Sequence, residues 1–194
     1  MDLIKILNES KKIYNVQIDP KLVQGFYLGI STNDALIGKL IKAYSYKWEK
    51  IQKEFLASHS FAVFDGTVYE SNAAGNQERH ITKYIKNGHE FWLFQYRPVL
   101  KSNYDIALSY AKGALGRMYD YPGLLRFLFK FIPQLKYGDF CSEYVAAIVQ
   151  NYLKLPFIEL KPEDISPSTI LRYCSLENRG WRLAAHYKDG KPIK

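Results

Sequence analysis

Cysteine is scarce in this 194-residue chain, with Cys141 and Cys174 the two present. Two thiols are too few for a disulfide scaffold or a four-cysteine zinc site. Histidine is nearly as rare, at four copies. No stretch approaches the roughly 18 consecutive apolar residues of a membrane-spanning helix. The opening MDLIKILNESKKIYNV carries Asp2, Lys5 and Glu9 and has no apolar block before a small-residue cleavage site, so it does not read as a secretory signal. Internal repeats, low-complexity stretches and Pro/Gly/Ser linkers are also missing. These absences lead to the expectation of a cytoplasmic protein with both thiols free, virion-associated if a virus supplies it. It should have one domain over residues 24–194, behind a short helical extension over residues 1–23.

Hydrophobic residues make up 47% of the chain, which excludes a disordered protein. Lys and Arg number 27 against 19 Asp and Glu, a formal charge of +8. Such an excess favours anionic surfaces, but the basic residues are dispersed. Sixteen tyrosines could stack on bases, yet no recognition helix, zinc finger or ribonucleoprotein signature accompanies them, so nucleic acid is not an expected partner.

The periodicities assign strands to residues 24–31, 58–64, 67–71 and 90–96. Helices are expected over residues 103–118 and 139–153, and one with the apolar stripe Leu36, Ile37, Leu40, Ile41 and Tyr44, capped by Thr32 or Asn33. The charged residues 47–56 also read as helical. Strands and helices are segregated, so the fold class is α+β with an antiparallel sheet.

Two features carry chemistry. Cys141 falls at the start of a helix, where unpaired N–H groups and the helix dipole favour a thiolate. Asp65-Gly66 is a two-residue hairpin turn of type I′. It opposes Phe64 to Thr67, and by extension His59 to Asn72 and Phe61 to Glu70. Strand alternation then puts His59, Glu70 and Asn72 on one side of the sheet, with Glu70 diagonal to His59 and within reach of it. A thiol, an imidazole and a carboxylate behind the imidazole are the groups of thiol nucleophilic catalysis. Asn72, directly opposite His59, is the alternative orienting group. Ser142 and Tyr119 are candidate cleft or oxyanion contributors beside the Cys141 N–H. Cys174 reads as structural, and His80 and His89 as exposed. The stretch from Leu124 to Ile132 interleaves leucines and phenylalanines with Arg126 and Lys130, which suits an apolar lid or an anionic membrane contact, or else a core helix.

The order of these motifs resembles the circularly permuted papain-like cysteine hydrolases. The closer likeness is to the YiiX-like branch of the NlpC superfamily, related to lecithin:retinol acyltransferase. It is carried by Ala35–Ile41 as the helix before the histidine, by Ser58-His59, and by Val68-Tyr69-Glu70-Ser71. Gly116-Arg117-Met118-Tyr119-Asp120, Phe140-Cys141-Ser142-Glu143-Tyr144-Val145 and the late Pro162-Glu163-Asp164-Ile165-Ser166-Pro167-Ser168 complete it, so that it spans residues 24–172. The Gly-Asp opening of the first strand is replaced by Tyr27-Leu28-Gly29, and residues 47–56 are longer than usual. The resemblance implies Cys141 as nucleophile, His59 as base and Glu70 as its orienting group. It further implies hydrolysis or acyl transfer at an amide, ester or thioester of a peptide-like or lipid acyl substrate, with no cofactor. A non-catalytic structural or interaction protein on the same fold is the rival reading.

Overall fold

A computed structural model describes residues 25–87, 89–126, 138–177 and 180–193. The helical extension expected over residues 1–23 lies outside them, as does most of the stretch running to Ile132.

The chain alternates short helices with strands. After β1 (Phe26–Thr32) come α1 (Leu36–Lys47), β2 (His59–Phe64), β3 (Thr67–Asn72), β4 (Gly75–His80), α2 (Thr82–Lys86) and β5 (Glu90–Tyr96). Then follow α3 (Lys101–Gly113), β6 (Met118–Tyr119), α4 (Tyr121–Arg126), β7 (Gly138–Asp139) and α5 (Cys141–Ala147), which runs on into a π-helical turn over Ile148–Tyr152. The last elements are α6 (Pro167–Arg172), β8 (Trp181–Lys188) and β9 (Lys191–Pro192). Seven strands form one sheet in the order β4-β3-β2-β1-β5-β8-β9, antiparallel at each pairing, while β6 and β7 make a separate parallel pair. The class is α+β, an antiparallel sheet packed with helices.

The sheet buries both faces. On one, Leu28, Ile30, Ala62, Phe64 and Phe94 pack with Ala107 and Ala111 of α3, Tyr144 and Val145 of α5, and Ile170 of α6. On the other, Phe61, Val63, Val68, Phe91 and Leu93 are sealed by Ile81, Tyr84 and Ile85 at α2. Alternate residues of β2 therefore enter different cores, which is why it reads as an unbroken apolar run. The expected turn is present: Asp65 and Gly66 have φ of 47° and 77°, the left-handed pair of a type I′ turn. The ladder pairs Phe64 with Thr67, Val63 with Val68 and Ala62 with Tyr69.

Five expectations are corrected. Strands and helices are interleaved along the chain and not segregated, and the class is α+β because the main sheet is antiparallel. Residues 47–56 are not a helix: α1 ends at Lys47, and only Lys53–Phe55 turn, as a short 3₁₀ segment. The N-cap of α1 is Ala35, with Asn33 Oδ1 accepting from the Ala35 N–H at 3.1 Å in a local turn before the helix. The helix over 103–118 closes at Gly113, so that Met118 and Tyr119 are free to pair with β7. His80 is half-buried, its Nδ1 2.9 Å from Thr82 Oγ1, because β4 continues through it into α2.

Candidate active site

The hairpin, β4 and the loop before α5 converge on three side chains. Ser71 of β3 donates from Oγ to the Asp139 carbonyl at 2.6 Å, and Asn76 of β4 donates to Asp139 Oδ2 at 3.0 Å. These bonds fasten β7 to the hairpin. The Asp120 N–H donates to the Asp139 carbonyl at 3.2 Å, while its own Oδ1 accepts the Gly123 N–H at 2.7 Å and caps α4. Cys141 is the first residue of α5 and is buried. Glu143 reaches back toward the Phe140 N–H at 3.5 Å, which closes that helix start.

His59 opens β2 with Nε2 2.7 Å from Glu70 Oε2. The Cys141 thiol lies near enough to act on the same ring. With Nε2 occupied by the carboxylate, Nδ1 is the ring nitrogen left to serve the thiol. Burial disfavours the imidazolium, but the bonds and charges of Cys141 and Glu70 outweigh it and lift the His59 pKa to about 10.

Glu70 is 2% exposed, a carboxylate in the core, where an unpaired charge would be costly. It has four partners. Besides His59, Arg79 Nε of β4 sits 2.6 Å from Oε1, Tyr84 of α2 donates its hydroxyl to Oε2, and Asn72 Nδ2 donates to Oε1 at 3.1 Å. Burial pushes the carboxyl pKa up, yet His59, Tyr84 and Arg79 together bring it down to about 2. Tyr84 is held by Phe61, ring centroids 4.3 Å apart, and its own hydroxyl is kept protonated by burial beside Glu70.

Of the residues singled out from the sequence, His59 and Glu70 are hydrogen-bonded to each other, and Cys141 lies near enough to act on the same imidazole. Asn72 is placed differently from expectation: its amide holds the Glu70 carboxylate, while its own Oδ1 accepts the Ala74 N–H at 2.9 Å. Tyr119 is buried near Cys141, and burial with the nearby thiol raises its pKa. Ser142 is fully buried, with no hydrogen-bond partner on its hydroxyl. Cys174 is buried away from these groups, and burial lifts its thiol well above the ordinary range. From the apolar stretch, Leu124 and Leu125 belong to α4 and border a cavity beside Cys141; Phe127 to Ile132 fall outside the described residues.

Arg79 and Tyr84 were missed. The signal for Arg79 was a second hairpin: Asn72 pairs with Gly75 across Ala73-Ala74, which sets Arg79 opposite Val68 and on the Glu70 side of the sheet. Gly-Asn-Gln-Glu-Arg-His has no apolar alternation to mark it as a strand, as suits an edge. Tyr84 reaches Glu70 only through the α2 return, which has no local signature.

Among the described residues, no three His, Cys, Asp or Glu side chains are grouped to hold a metal ion, and no helix is long and apolar enough to cross a membrane. Compared with protein-family models and with curated proteins, the sequence matches none.

Proposed function

We propose that this chain is a cysteine hydrolase or acyltransferase of the permuted papain-like type, acting on an amide, ester or thioester through Cys141, His59 and Glu70. The observation that carries this reading is an imidazole hydrogen-bonded to the buried Glu70 carboxylate, with the Cys141 thiol at the start of α5 close enough to act on the same ring. The order His59, Glu70, Cys141, with the cysteine opening a helix that packs on the hairpin, agrees with the family resemblance.

In this mechanism His59, whose raised pKa keeps the ring protonated at neutral pH, already holds the proton given up by Cys141, and the Cys141 thiolate attacks the carbonyl carbon. The developing oxyanion faces the first-turn N–H groups of α5, the Cys141 N–H among them. The tetrahedral intermediate expels the leaving group, which takes the proton from His59, and a thioester remains. His59 then draws a proton from water, or from an acceptor alcohol or amine, and deacylation restores the thiol. Glu70 does not transfer the proton. It fixes the ring orientation and stabilises the imidazolium, and Arg79, Tyr84 and Asn72 hold Glu70 in place.

The test is a panel of activated esters, thioesters and amides, read by turnover and by the intact mass of the protein. Wild type should accumulate an adduct on Cys141, and Cys141→Ala should give neither adduct nor turnover. His59→Ala should cost about as much as Cys141→Ala, and the double variant little more, because nucleophile and base act as a unit. Multiplying losses in the double variant would sink the assignment.

A further inference from the structure

The short helix α2 brings a second kind of group to the imidazole. Ile81, just before it, and Ile85 are buried in the core, and Tyr84 donates its hydroxyl to Glu70. Lys83, set between them, is exposed. It lines a pocket of about 260 Å³ whose walls include His59, Arg79, Asn87 and His89. Among the described residues Lys83 has no ion pair or hydrogen bond. Residues 127–137, outside them, contain no Asp or Glu and so cannot supply an opposing carboxylate.

Among the described residues lining this pocket, Glu70 is the one acid. Its carboxylate is already engaged, Oε1 by Arg79 and Asn72, and Oε2 by His59 and Tyr84. A cationic ligand therefore meets no open carboxylate there. Arg79 commits Nε to Glu70 and Nη2 to Gln77 Oε1 at 2.9 Å, and 28% of its side chain stays exposed to the pocket side of β4. The Cys141 thiolate and Glu70 balance the imidazolium and Arg79, so Lys83 leaves the site with a single positive charge in excess. An ammonium on a flexible stem is a compact point charge that suits any anionic oxygen.

The chemistry decides which half of a substrate meets this charge. An imidazolium must reach the departing atom to protonate it, so the departing portion lies on the imidazole side of the scissile bond. His59 lines the Lys83 pocket. Resting on the thiol-catalysis reading above, we infer that the departing portion of the substrate carries a carboxylate or phosphate, bound by Lys83 and Arg79. Cys141 Sγ bonds to the acyl carbon as the bond to the departing atom breaks, and the imidazolium proton goes to that atom. The anionic group is held and takes no part in the proton transfer. Water then adds to the thioester carbon as His59 takes one of its protons, the C–S bond breaks, and a carboxylic acid leaves with the thiolate and imidazolium restored.

The experiment uses acetyl thioesters, which share the smallest acyl group and differ in the departing thiol. The thiols are 3-mercaptopropionate and 2-mercaptoethyl phosphate as anions, 2-mercaptoethanol as the neutral reference and thiocholine as the cation. The readouts are kcat/KM from thiol release and the intact mass of acetylated Cys141. Intrinsic thiol reactivity cancels between protein variants, so the quantity compared is the anionic-to-neutral ratio of kcat/KM. It should fall about fivefold in Lys83→Met and about twenty-fivefold in Lys83→Glu, with the thiocholine thioester gaining in the latter. Added salt should shrink the wild-type ratio as the charges are screened. The anionic thioester that loses more in these variants identifies the group as carboxylate or phosphate. Ratios unchanged in both variants while Cys141 is acetylated overturn the anionic-subsite inference and leave the thiol mechanism standing. No acetyl adduct on Cys141 from any of these thioesters overturns both.

Discussion

Glu70 shows how one side chain sets the electrostatics of its neighbours. Its contact with His59 helps to lower one pKa and to raise the other, so each group stabilises the fold over its own pH range. For Glu70, with its pKa depressed to about 2, the contribution is whole above the ordinary 4.5 and is lost as pH falls through about 2. For His59, raised to about 10, the contribution is whole below the ordinary 6.5 and is lost as pH rises through about 10. Glu70→Gln removes the carboxylate charge from both accounts. Its His59 ring should release its proton at a distinctly lower pH in an NMR titration, turnover should fall by at least tenfold, and the stability deficit should be widest between pH 4.5 and 6.5. Asn72→Ala leaves His59, Arg79 and Tyr84 on the carboxylate, so its loss of turnover should be a few-fold. If Asn72→Ala were the worse of the two, Glu70 would not be the group that orients the imidazole.

At the scale of elements, the position of α1 decides whether a cleft exists. Gly38 brings the helix against the chain on either side of it. A Cβ there would sit 2.4 Å from Asn33 Oδ1, 2.9 Å from the Asn33 carbonyl oxygen and 3.2 Å from Ser58 Cβ. Asn33 is itself pinned, its N–H donating to Ser58 Oγ at 2.9 Å. The helix, and not one flexible side chain, must move to admit a methyl group. Gly38→Ala should therefore cost about 1–3 kcal/mol despite the better helix propensity of alanine, visible as a lower denaturation midpoint. It should also alter turnover, since Ser58 precedes His59. A midpoint equal to or above wild type would mean that α1 is not seated this tightly.

For the molecule as a whole, residues far apart in sequence must be locked together to assemble the site. Ser168, in α6, donates from Oγ to the Ala57 carbonyl at 3.1 Å and accepts the Ala57 N–H at 3.0 Å, just ahead of His59. Both Ala57 groups lie in the interior, so removing the hydroxyl leaves two backbone groups unpaired. Ser168→Ala should destabilise the protein by about 1–3 kcal/mol, or roughly 2–10 °C in melting temperature for a chain of this size. Calorimetry checks this; an unchanged melting temperature would show that the tie is dispensable.

Local chemistry alone determined part of this protein. Asp65-Gly66 imposes a left-handed two-residue turn, and a two-residue turn sets the register, so the meeting of His59 with Glu70 was legible in the run from Ser58 to Asn72. The start of α5 at Cys141 and the strand Glu90–Tyr96 were equally local, resting on an apolar stripe and an aromatic-rich run. Packing decided the rest. Gln77, Glu78 and Arg79 form a strand only because β3 offers them an edge, and Tyr84 meets Glu70 only because α2 folds back over Phe61. The cavity beside Cys141 was also out of reach of periodicity. The stripe of Leu36, Ile37 and Leu40 predicts which face of α1 is apolar, but what that face meets depends on where α4 lies, and no residue within α1 encodes that distance.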